Sequence, residues 1–174
     1  MKTDLPDLMI DIETLGLRPD AVIFELAAVA FDPTTGDHGQ SFKAEINIED
    51  AYLHRLTTDE ETRRFWDERG GPRQGEAQPL RVVLDHLAGF ISDMNPKAIW
   101  SWGSDFDFPI LGNAYLRAGL DCPWRHYQQR DARTVYKLVF PEEKRRGIDH
   151  NALSDCLRQI KDLAFAINYS RSMA

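Results

Sequence analysis

Three strand-like segments open the chain, and their order constrains the fold more than any other feature of the sequence. The apolar runs 8–11 and 22–31 are joined by a segment with a glycine and a proline, which signals a tight connection and predicts a hairpin. A turn-forming cluster at 32–36 precedes residues 41–46, where polar and apolar side chains alternate as in a strand. The chain is therefore predicted to begin with three strands.

Helices and a further strand alternate in the rest of the chain. Apolar residues recur over 80–91 at the three-and-four spacing of an amphipathic helix, and 98–102 reads as a short buried strand. A second helix follows and ends near Gly119, and another apolar helix starts near Asn151. Residues 50–79 are predicted to form short helical pieces and a loop over the surface. Strands first and alternating elements later predict an α/β fold with a mixed sheet covered by helices.

Composition favours one intracellular domain. The 174 residues fit a single domain, so 1–174 is predicted to be one unit. Cys122 and Cys156 form neither a CxxC pair nor a zinc-ligand spacing, so a reducing cytoplasm is expected. The N-terminus lacks the pattern of a signal peptide, and no apolar run approaches the ~20 residues of a membrane span. No contact with a membrane is predicted.

The formal net charge of −7 argues against a protein that coats nucleic acid by simple charge attraction. It does not argue against an enzyme that acts on nucleic acid. A site that gathers several carboxylates around metal ions is acidic by construction, and local clusters of lysine and arginine can still hold phosphates. The placement of the charges therefore matters more than their sum.

An acidic pair ends the first strand. Asp11 and Glu13 are two positions apart, so both side chains should project from the same face of the strand. Carboxylates this close repel each other, and each would tend to take up a proton unless a cation neutralised the site. Mg²⁺ and Mn²⁺ are suitable counter-ions because hard cations prefer oxygen ligands. A bare Asp-x-Glu is more often a solvent-facing strand end, so the other acidic residues must decide.

Further candidates lie near the predicted end of the strand 98–102 and before the last helix. Asp105 and Asp107 follow that strand, and either suits a helix N-cap. His150 precedes Asp155 by five positions. A histidine titrates near neutrality, so it can accept a proton from a water molecule at a metal site. Taken singly, His150 and Asp155 fit an ordinary surface residue and a solvated helix position.

The combination resembles a known family. Asp11-Ile12-Glu13-Thr14, Phe106-Asp107 and the segment 150–155 are similar, in order and separation, to the three motifs of the DEDDh exonucleases within the ribonuclease-H-like superfamily. The resemblance covers residues 7 to 160, and 11–36 further resembles the compact single-domain branch of phage and bacterial 3′–5′ exonucleases and exoribonucleases. A tyrosine four positions before the last aspartate would mark the sister group, and this chain has asparagine there.

The resemblance implies a ribonuclease-H-like α/β fold, in which a central mixed sheet of about five strands is flanked by helices. It also implies two divalent cations, Mg²⁺ or Mn²⁺, and a general base, and members of this branch are often homodimers. Asp107 rather than Asp105 takes the motif position because it directly follows Phe106. The implied metal ligands are Asp11, Glu13, Asp107 and Asp155, and the implied general base is His150.

The implied reaction is hydrolysis at the 3′ end of single-stranded RNA or DNA, with release of nucleoside 5′-monophosphates. Two metal ions would activate a water molecule and neutralise charge on the leaving 3′ oxygen. Asp11 is expected to bridge both ions, and Glu13 to bind the ion that orients the attacking water. His150 would accept the proton of that water.

Contacts with the substrate are predicted from the same motifs. Thr14 and Leu15, directly after Glu13, resemble the family's contacts with the terminal sugar and base, although Leu15 also fits simple loop packing. Phe106 and Trp66 are candidates for stacking on bases. Arg146 belongs to a basic run just before the predicted general base and is a candidate phosphate contact, although a charge run is usually only a solvated loop.

Two other functions compete with this interpretation. A phosphatase of the haloacid-dehalogenase type also begins with an acidic pair after a strand, but it needs aspartate at both positions, and here the second is Glu13. The other alternative is a nucleic-acid-binding or adaptor module that has kept the fold without catalysis. The complete set of five predicted catalytic residues argues against lost activity. Metal-dependent shortening of a 5′-labelled single strand would distinguish an exonuclease from such a binding module.

Overall fold

The computed structural model describes residues 5–142 and 150–173, and five strands pair in it into a mixed sheet. The strands are β1 (Asp7–Thr14), β2 (Ile23–Phe31), β3 (His38–Glu45), β4 (Ala98–Ser101) and β5 (Gln129–Asp131), in the spatial order β3-β2-β1-β4-β5. β2 is antiparallel to β1 and β3, whereas β4 is parallel to β1 and β5. The predicted hairpin and the predicted mixed sheet of about five strands are therefore confirmed.

Helices cover the sheet. They are α1 (Ile48–Leu53), α2 (Glu60–Asp67), α3 (Leu80–Met94), α4 (Ser104–Arg117), α5 (Ala132–Val139) and α6 (Ala152–Ser172), with a 3₁₀ turn at 126–128. Four of them begin at an asparagine or aspartate whose side chain accepts a backbone N–H of the first turn. Such caps satisfy donors that have no partner within the helix, and they fix where each helix starts.

The alternation of side chains along β1 divides the core into two layers. Leu8, Ile10 and Ile12 pack into the larger layer, with α3 and α4. Met9 points the other way, into a layer that it shares with the buried stripe of α6. Since side chains two positions apart share a face, Asp11 and Glu13 lie on the α6 side of the sheet. The alternation of β1 thus directs the acidic pair at the last helix.

Two regions differ from the sequence prediction. β5 and α5 were not predicted, because the three-residue strand is polar, lies at the sheet edge and shows no alternation. Residues 50–79 are not only a surface segment, since α2 inserts Trp66 into the core with 6% of its surface exposed. A single buried indole gives no periodic signal over so short a helix.

No helix in the part of the chain that the structure describes is long and apolar enough to cross a membrane.

Candidate active site

Three carboxylates meet where β1 ends. Asp11 and Glu13 come from β1, and Asp155 comes from the first turn of α6. Each offers a carboxylate oxygen that lies within 4.8 Å of the other two. Glu13 and Asp155 are buried and Asp11 is partly buried. The strand alternation and the packing of α6 on the same face of the sheet therefore suffice to assemble this cluster.

The turn between β4 and α4 brings a fourth carboxylate toward the cluster. Gly103 adopts φ +112°, and a Cβ added there would lie 2.9 Å from the side chain of Arg133. The helix that follows buries Asp107, with 5% of its surface exposed. Asp105 is not a cap: it lies in the first turn of α4, exposed and paired with Arg133 at 3.1 Å. The structure thus turns Asp107 inward and leaves Asp105 in solvent.

Burial and mutual repulsion raise the pKa values of this group. Burial raises the pKa of Asp11 well above its usual range, and the nearby charges of Asp107 and Glu13 add to this effect. For Glu13, burial raises the pKa to about 8, with further contributions from the carboxylates of Asp155 and Glu25. Burial also raises the pKa of Asp107 to about 7. The cluster therefore tends to hold protons until a cation replaces them.

Neighbouring side chains of α6 orient the carboxylates. The Gln159 amide Nε2 donates a hydrogen bond of 2.5 Å to Oδ1 of Asp11, and Arg158 forms an ion pair with Asp155. Gln159 is fully buried, and its Oε1 has no hydrogen-bond partner among the residues described. The sequence prediction missed both residues. They lie three and four positions after Asp155, a spacing that puts them beside it on the surface of a helix. A polar residue within an apolar helical stripe was the available signal.

The chemistry of this group fits divalent cations. All the donors are carboxylate oxygens, which hard cations such as Mg²⁺ and Mn²⁺ prefer. The raised pKa values show that the protein alone does not balance the negative charge of the ionised cluster. The structure thus provides the residues needed to hold divalent metal at the end of β1.

His150 directly precedes Asn151, the N-cap of α6, and lies beside the cluster. Its backbone is in the left-handed region, with φ +49°. Its ring packs edge-on against Phe65 and Trp66 of α2, with centroid distances of 4.9 and 5.6 Å. The position of the imidazole thus depends on α2, an element distant in sequence.

A cavity of about 420 Å³ opens between the cluster and α2. It lies within the size range of small-molecule sites. Both Glu13 and His150 line it. The other lining residues are Ile12, Thr14, Leu17, Glu61, Thr62, Phe65, Trp66 and Phe106. The cavity therefore joins a carboxylate of the cluster to the histidine along one wall.

Four of the five predicted substrate contacts lie in the described part of the chain, and three of these four line the cavity. Thr14, Phe106 and Trp66 line the cavity, but Trp66 is largely buried, and its indole Nε1 donates to the Thr14 carbonyl at 2.9 Å. Leu15 does not line it: only 3% of its surface is exposed, and it packs in the core. Leu17, two positions further along the chain, is 71% exposed and takes a place in the cavity wall.

Arg146, the predicted phosphate contact, lies outside the described residues. Glu61, Thr62 and Phe65 were missed as cavity residues. They lie on α2, in a stretch whose polar sequence gave no sign that it folds over the end of β1.

A carboxylate cluster at a strand end, together with a histidine on the same cavity, fits the class of metal-dependent hydrolases that act on phosphate esters. The sequence model of one family, described as the 3′–5′ exoribonuclease Rv2179c-like domain, matches residues 6–167. The chain belongs to this family.

Individual relatives agree with this assignment. An exodeoxyribonuclease of enterobacteria phage T4 is 26% identical over 208 aligned residues, covering 96% of this chain and 91% of the phage protein. Escherichia coli exonuclease I, in a metal-free complex with single-stranded DNA, superposes with a TM-score of 0.64 at 16% identity, over 89% of this chain and 38% of that one. The chain thus spans about two fifths of the length of exonuclease I.

A third relative matches over most of its length. The nuclease domain of 3′hExo, a DEDDh family member bound to rAMP, gives a TM-score of 0.63 at 12% identity, over 93% of this chain and 91% of that domain. These structural likenesses establish the ribonuclease-H-like fold. The family match identifies the chain as a 3′–5′ exonuclease of the DEDDh type, and its acidic cluster is suited to a divalent metal.

Proposed function

We propose that this enzyme removes nucleotides one at a time from the 3′ end of single-stranded RNA or DNA and releases nucleoside 5′-monophosphates. The proposed cofactors are two Mg²⁺ or Mn²⁺ ions. The observation that carries the proposal is the shared cavity, because Glu13 of the acidic cluster and His150 both line it. A scissile phosphate held in that cavity would lie between metal ligands and a proton acceptor.

Each group has a distinct proposed role. Asp11, Glu13, Asp107 and Asp155 would hold the cations, and Gln159 would orient Asp11 through its hydrogen bond. When bound, the cations would supply an activated water and neutralise charge on the leaving 3′ oxygen. His150 would accept the proton of the attacking water. Thr14, Phe106 and the exposed Leu17 would contact the terminal nucleotide, with Trp66 as a supporting wall. Arg146 stays a predicted phosphate contact.

Both RNA and DNA are proposed substrates because the relatives point both ways. The family is described by an exoribonuclease, whereas the phage T4 relative is an exodeoxyribonuclease. The E. coli exonuclease I structure contains single-stranded DNA, and that of 3′hExo contains rAMP. Matched RNA and DNA strands therefore belong in the first assay.

Three further expectations stay predictions. Residues 1–174 are proposed to act as one exonuclease domain, which the family match over 6–167 supports. A cytoplasmic location fits the two free thiols, Cys122 and Cys156. Homodimer formation is expected from the resemblance to the compact exonuclease branch. A catalytically silent adaptor is disfavoured because the complete catalytic set is present.

The test is an assay of 5′-labelled single strands of RNA and DNA with Mg²⁺ or Mn²⁺. Stepwise shortening from the 3′ end, with 5′-monophosphates as products and full inhibition by EDTA, is the expected result. The matched control is Asp11→Ala, which should leave the strands intact. Full-length RNA and DNA after incubation of the wild-type protein with Mn²⁺, or full activity of Asp11→Ala, would contradict the proposal.

A further inference from the structure

Another carboxylate, fully buried, lies beside the cluster but is not among its proposed metal ligands. Glu25 pairs with Glu13 across the β1–β2 ladder, and its side chain is fully buried within the otherwise apolar strand β2. Its Oε1 accepts the backbone N–H of Ala152, the first residue of α6, at 2.9 Å. Lys43 lies 3.7 Å from the same oxygen. A buried charge in such a strand requires partners, and one of them, Ala152, lies two positions after His150.

The other oxygen of Glu25 faces an arginine from the segment after α2. The Arg73 Nη1 lies 3.4 Å from Oε2 of Glu25. The same guanidinium donates to the backbone carbonyl of His150, with distances of 3.2 Å from Nη1 and 3.4 Å from Nη2. Arg73 thus connects Glu25 of β2 to His150, the residue proposed as general base.

His150 needs such support because of its backbone. A histidine at φ +49° is in a conformation that side-chain-bearing residues rarely adopt, and surrounding contacts must stabilise it. Phe65 and Trp66 hold the ring, and Arg73 holds the carbonyl. All three holding residues come from one stretch of chain, residues 65–73. This stretch therefore contacts both the side chain and the backbone of His150.

We propose that Glu25 and Arg73 are positioning residues that fix His150 over the acidic cluster: Glu25 anchors the guanidinium, and the guanidinium holds the His150 carbonyl. The inference rests on the proposed role of His150 in proton transfer and extends it to residues outside the motifs. Nη1 and Nη2 of the planar guanidinium both donate to the His150 carbonyl, and Nη1 also faces the Glu25 carboxylate. A lysine ammonium does not reproduce this geometry.

Two substitutions separate positioning from folding. Arg73→Gln removes the bridging cation. Glu25→Gln keeps an oxygen that can accept the Ala152 N–H but removes the charge that anchors Arg73. The matched control is Arg81→Gln, because Arg81 also donates to a backbone carbonyl, that of Ala118 at 2.5 Å, at the far end of α4 from Asp107. A general loss of stability would affect all three variants alike.

Kinetics on a 5′-labelled single strand give the first readout. Arg73→Gln and Glu25→Gln are expected to lower kcat at saturating Mn²⁺ by about 10- to 100-fold, the usual range for residues that orient a catalytic group, while KM changes less than about threefold. Combining Arg73→Gln with His150→Ala should cost no more than His150→Ala alone, since both act through the same group. Arg81→Gln should retain wild-type kcat.

A nuclear magnetic resonance spectrum of the imidazoles gives a second readout that needs no activity. Rings at 4.9 and 5.6 Å shift the His150 signals, which His150→Ala identifies among the five histidines of the chain. Arg73→Gln should move these signals toward those of a solvent-exposed histidine, and Arg81→Gln should not. Unchanged His150 signals and unchanged kcat in Arg73→Gln would overturn the inference.

The proposed function fails in a different way. If His150→Ala retained wild-type activity, the role of His150 in proton transfer would be wrong, whereas the imidazole spectrum of Arg73→Gln would still show whether the arginine holds the histidine. If His150→Ala were inactive and Arg73→Gln were fully active, the proposed function would stand and the positioning role would be wrong.

Discussion

The two halves of the active site are built differently. The carboxylates come from β1, α4 and α6, and regular structure with buried packing fixes where they point. His150 instead lies just before the N-cap of α6, in a left-handed conformation, and its contacts come from residues 65–73. The half proposed to bind metal therefore belongs to the sheet and the helices packed on it, whereas the half proposed to move the proton depends on tertiary contacts with residues distant in sequence. Each half should fail separately when perturbed.

The largest effect should come from the carboxylates. Asp11→Asn is expected to lower activity by roughly 10⁴-fold and to abolish Mn²⁺ binding measured by calorimetry, because it removes a proposed metal ligand whose oxygen lies within 4.8 Å of those of Glu13 and Asp155. The same variant should be at least as stable as the wild type in EDTA, since burial and the charges of Asp107 and Glu13 disfavour the ionised form of Asp11. A metal-free Asp11→Asn protein that unfolds well below the wild-type temperature would contradict this interpretation.

His150→Ala should have the next largest effect, and it should slow proton transfer without weakening metal binding. The rate of a single turnover is expected to drop on the order of 10³-fold, within the range that a positioned general base contributes. Mn²⁺ affinity should stay at the wild-type value because the carboxylates are untouched. Loss of Mn²⁺ binding in this variant would show that the two halves are not separable.

The pH dependence of stability should reveal the carboxylate half alone. Burial raises the pKa of Glu13 from 4.5 to about 8 and that of Asp107 from 3.8 to about 7. A pKa raised by folding gives stability that is present below the unfolded value and is lost as the pH rises through the folded value. The free energy of unfolding in EDTA should therefore fall between pH 4 and pH 8, on the order of a few kcal/mol.

Mn²⁺ should reverse this loss, and it should stabilise more at pH 8 than at pH 5, because it binds the ionised carboxylates. Denaturant unfolding at several pH values, with Glu13→Gln as the variant that flattens the profile, measures both effects. A metal-free protein whose stability rises steadily from pH 5 to pH 8 would oppose the predicted sign.

A smaller effect should come from a residue that supports the carboxylates. Gln159→Leu removes the hydrogen bond to Asp11 at similar volume, so Mn²⁺ affinity is expected to fall about 10- to 100-fold. The His150 signals in the imidazole spectrum should not move. A calorimetric Mn²⁺ affinity equal to that of the wild type would mean that the sheet and helix alone orient Asp11.

The smallest effect should come from Trp66, which lines the cavity and packs against His150. Trp66→Phe leaves the buried Thr14 carbonyl without its 2.9 Å partner, and the free energy of unfolding should fall by about 1–3 kcal/mol. The rate should change less than tenfold, because Phe65 still contacts the His150 ring. Trp124→Phe controls for lost indole volume, since Trp124 packs against Phe108 and Tyr115. A much larger loss of rate would give Trp66 a direct part in substrate binding.

The same contrast explains which parts of the site can be read from the sequence. Asp11 and Glu13 follow from the two-residue period of a strand, and Asp155 from a helix start. These signals are local, so they can be recognised without the fold. The polar three-residue strand β5 carries no comparable pattern and was not predicted, and α5 was not predicted although its eight residues place apolar side chains on one face.

Contacts between distant segments could not be read in this way. Arg73 gains its role only when residues after α2 come within 3.2 Å of the His150 carbonyl, 77 positions away. Leu15 was predicted to contact the terminal nucleotide, with loop packing as the alternative, and in the structure Leu15 packs inward whereas Leu17 reaches the cavity. Glu25 did leave a signal, since one charged residue interrupts the apolar strand IFELAAVAF.

The most direct test of the metal-binding half is anomalous scattering from crystals grown with Mn²⁺ and a nucleoside 5′-monophosphate. Two Mn²⁺ peaks are expected at the end of β1, one of them shared between Asp11 and Glu13 and both in contact with Asp11, with the nucleotide in the cavity beside His150. A single Mn²⁺ peak, or Mn²⁺ bound away from the carboxylates of Asp11, Glu13, Asp107 and Asp155, would contradict a two-metal exonuclease site.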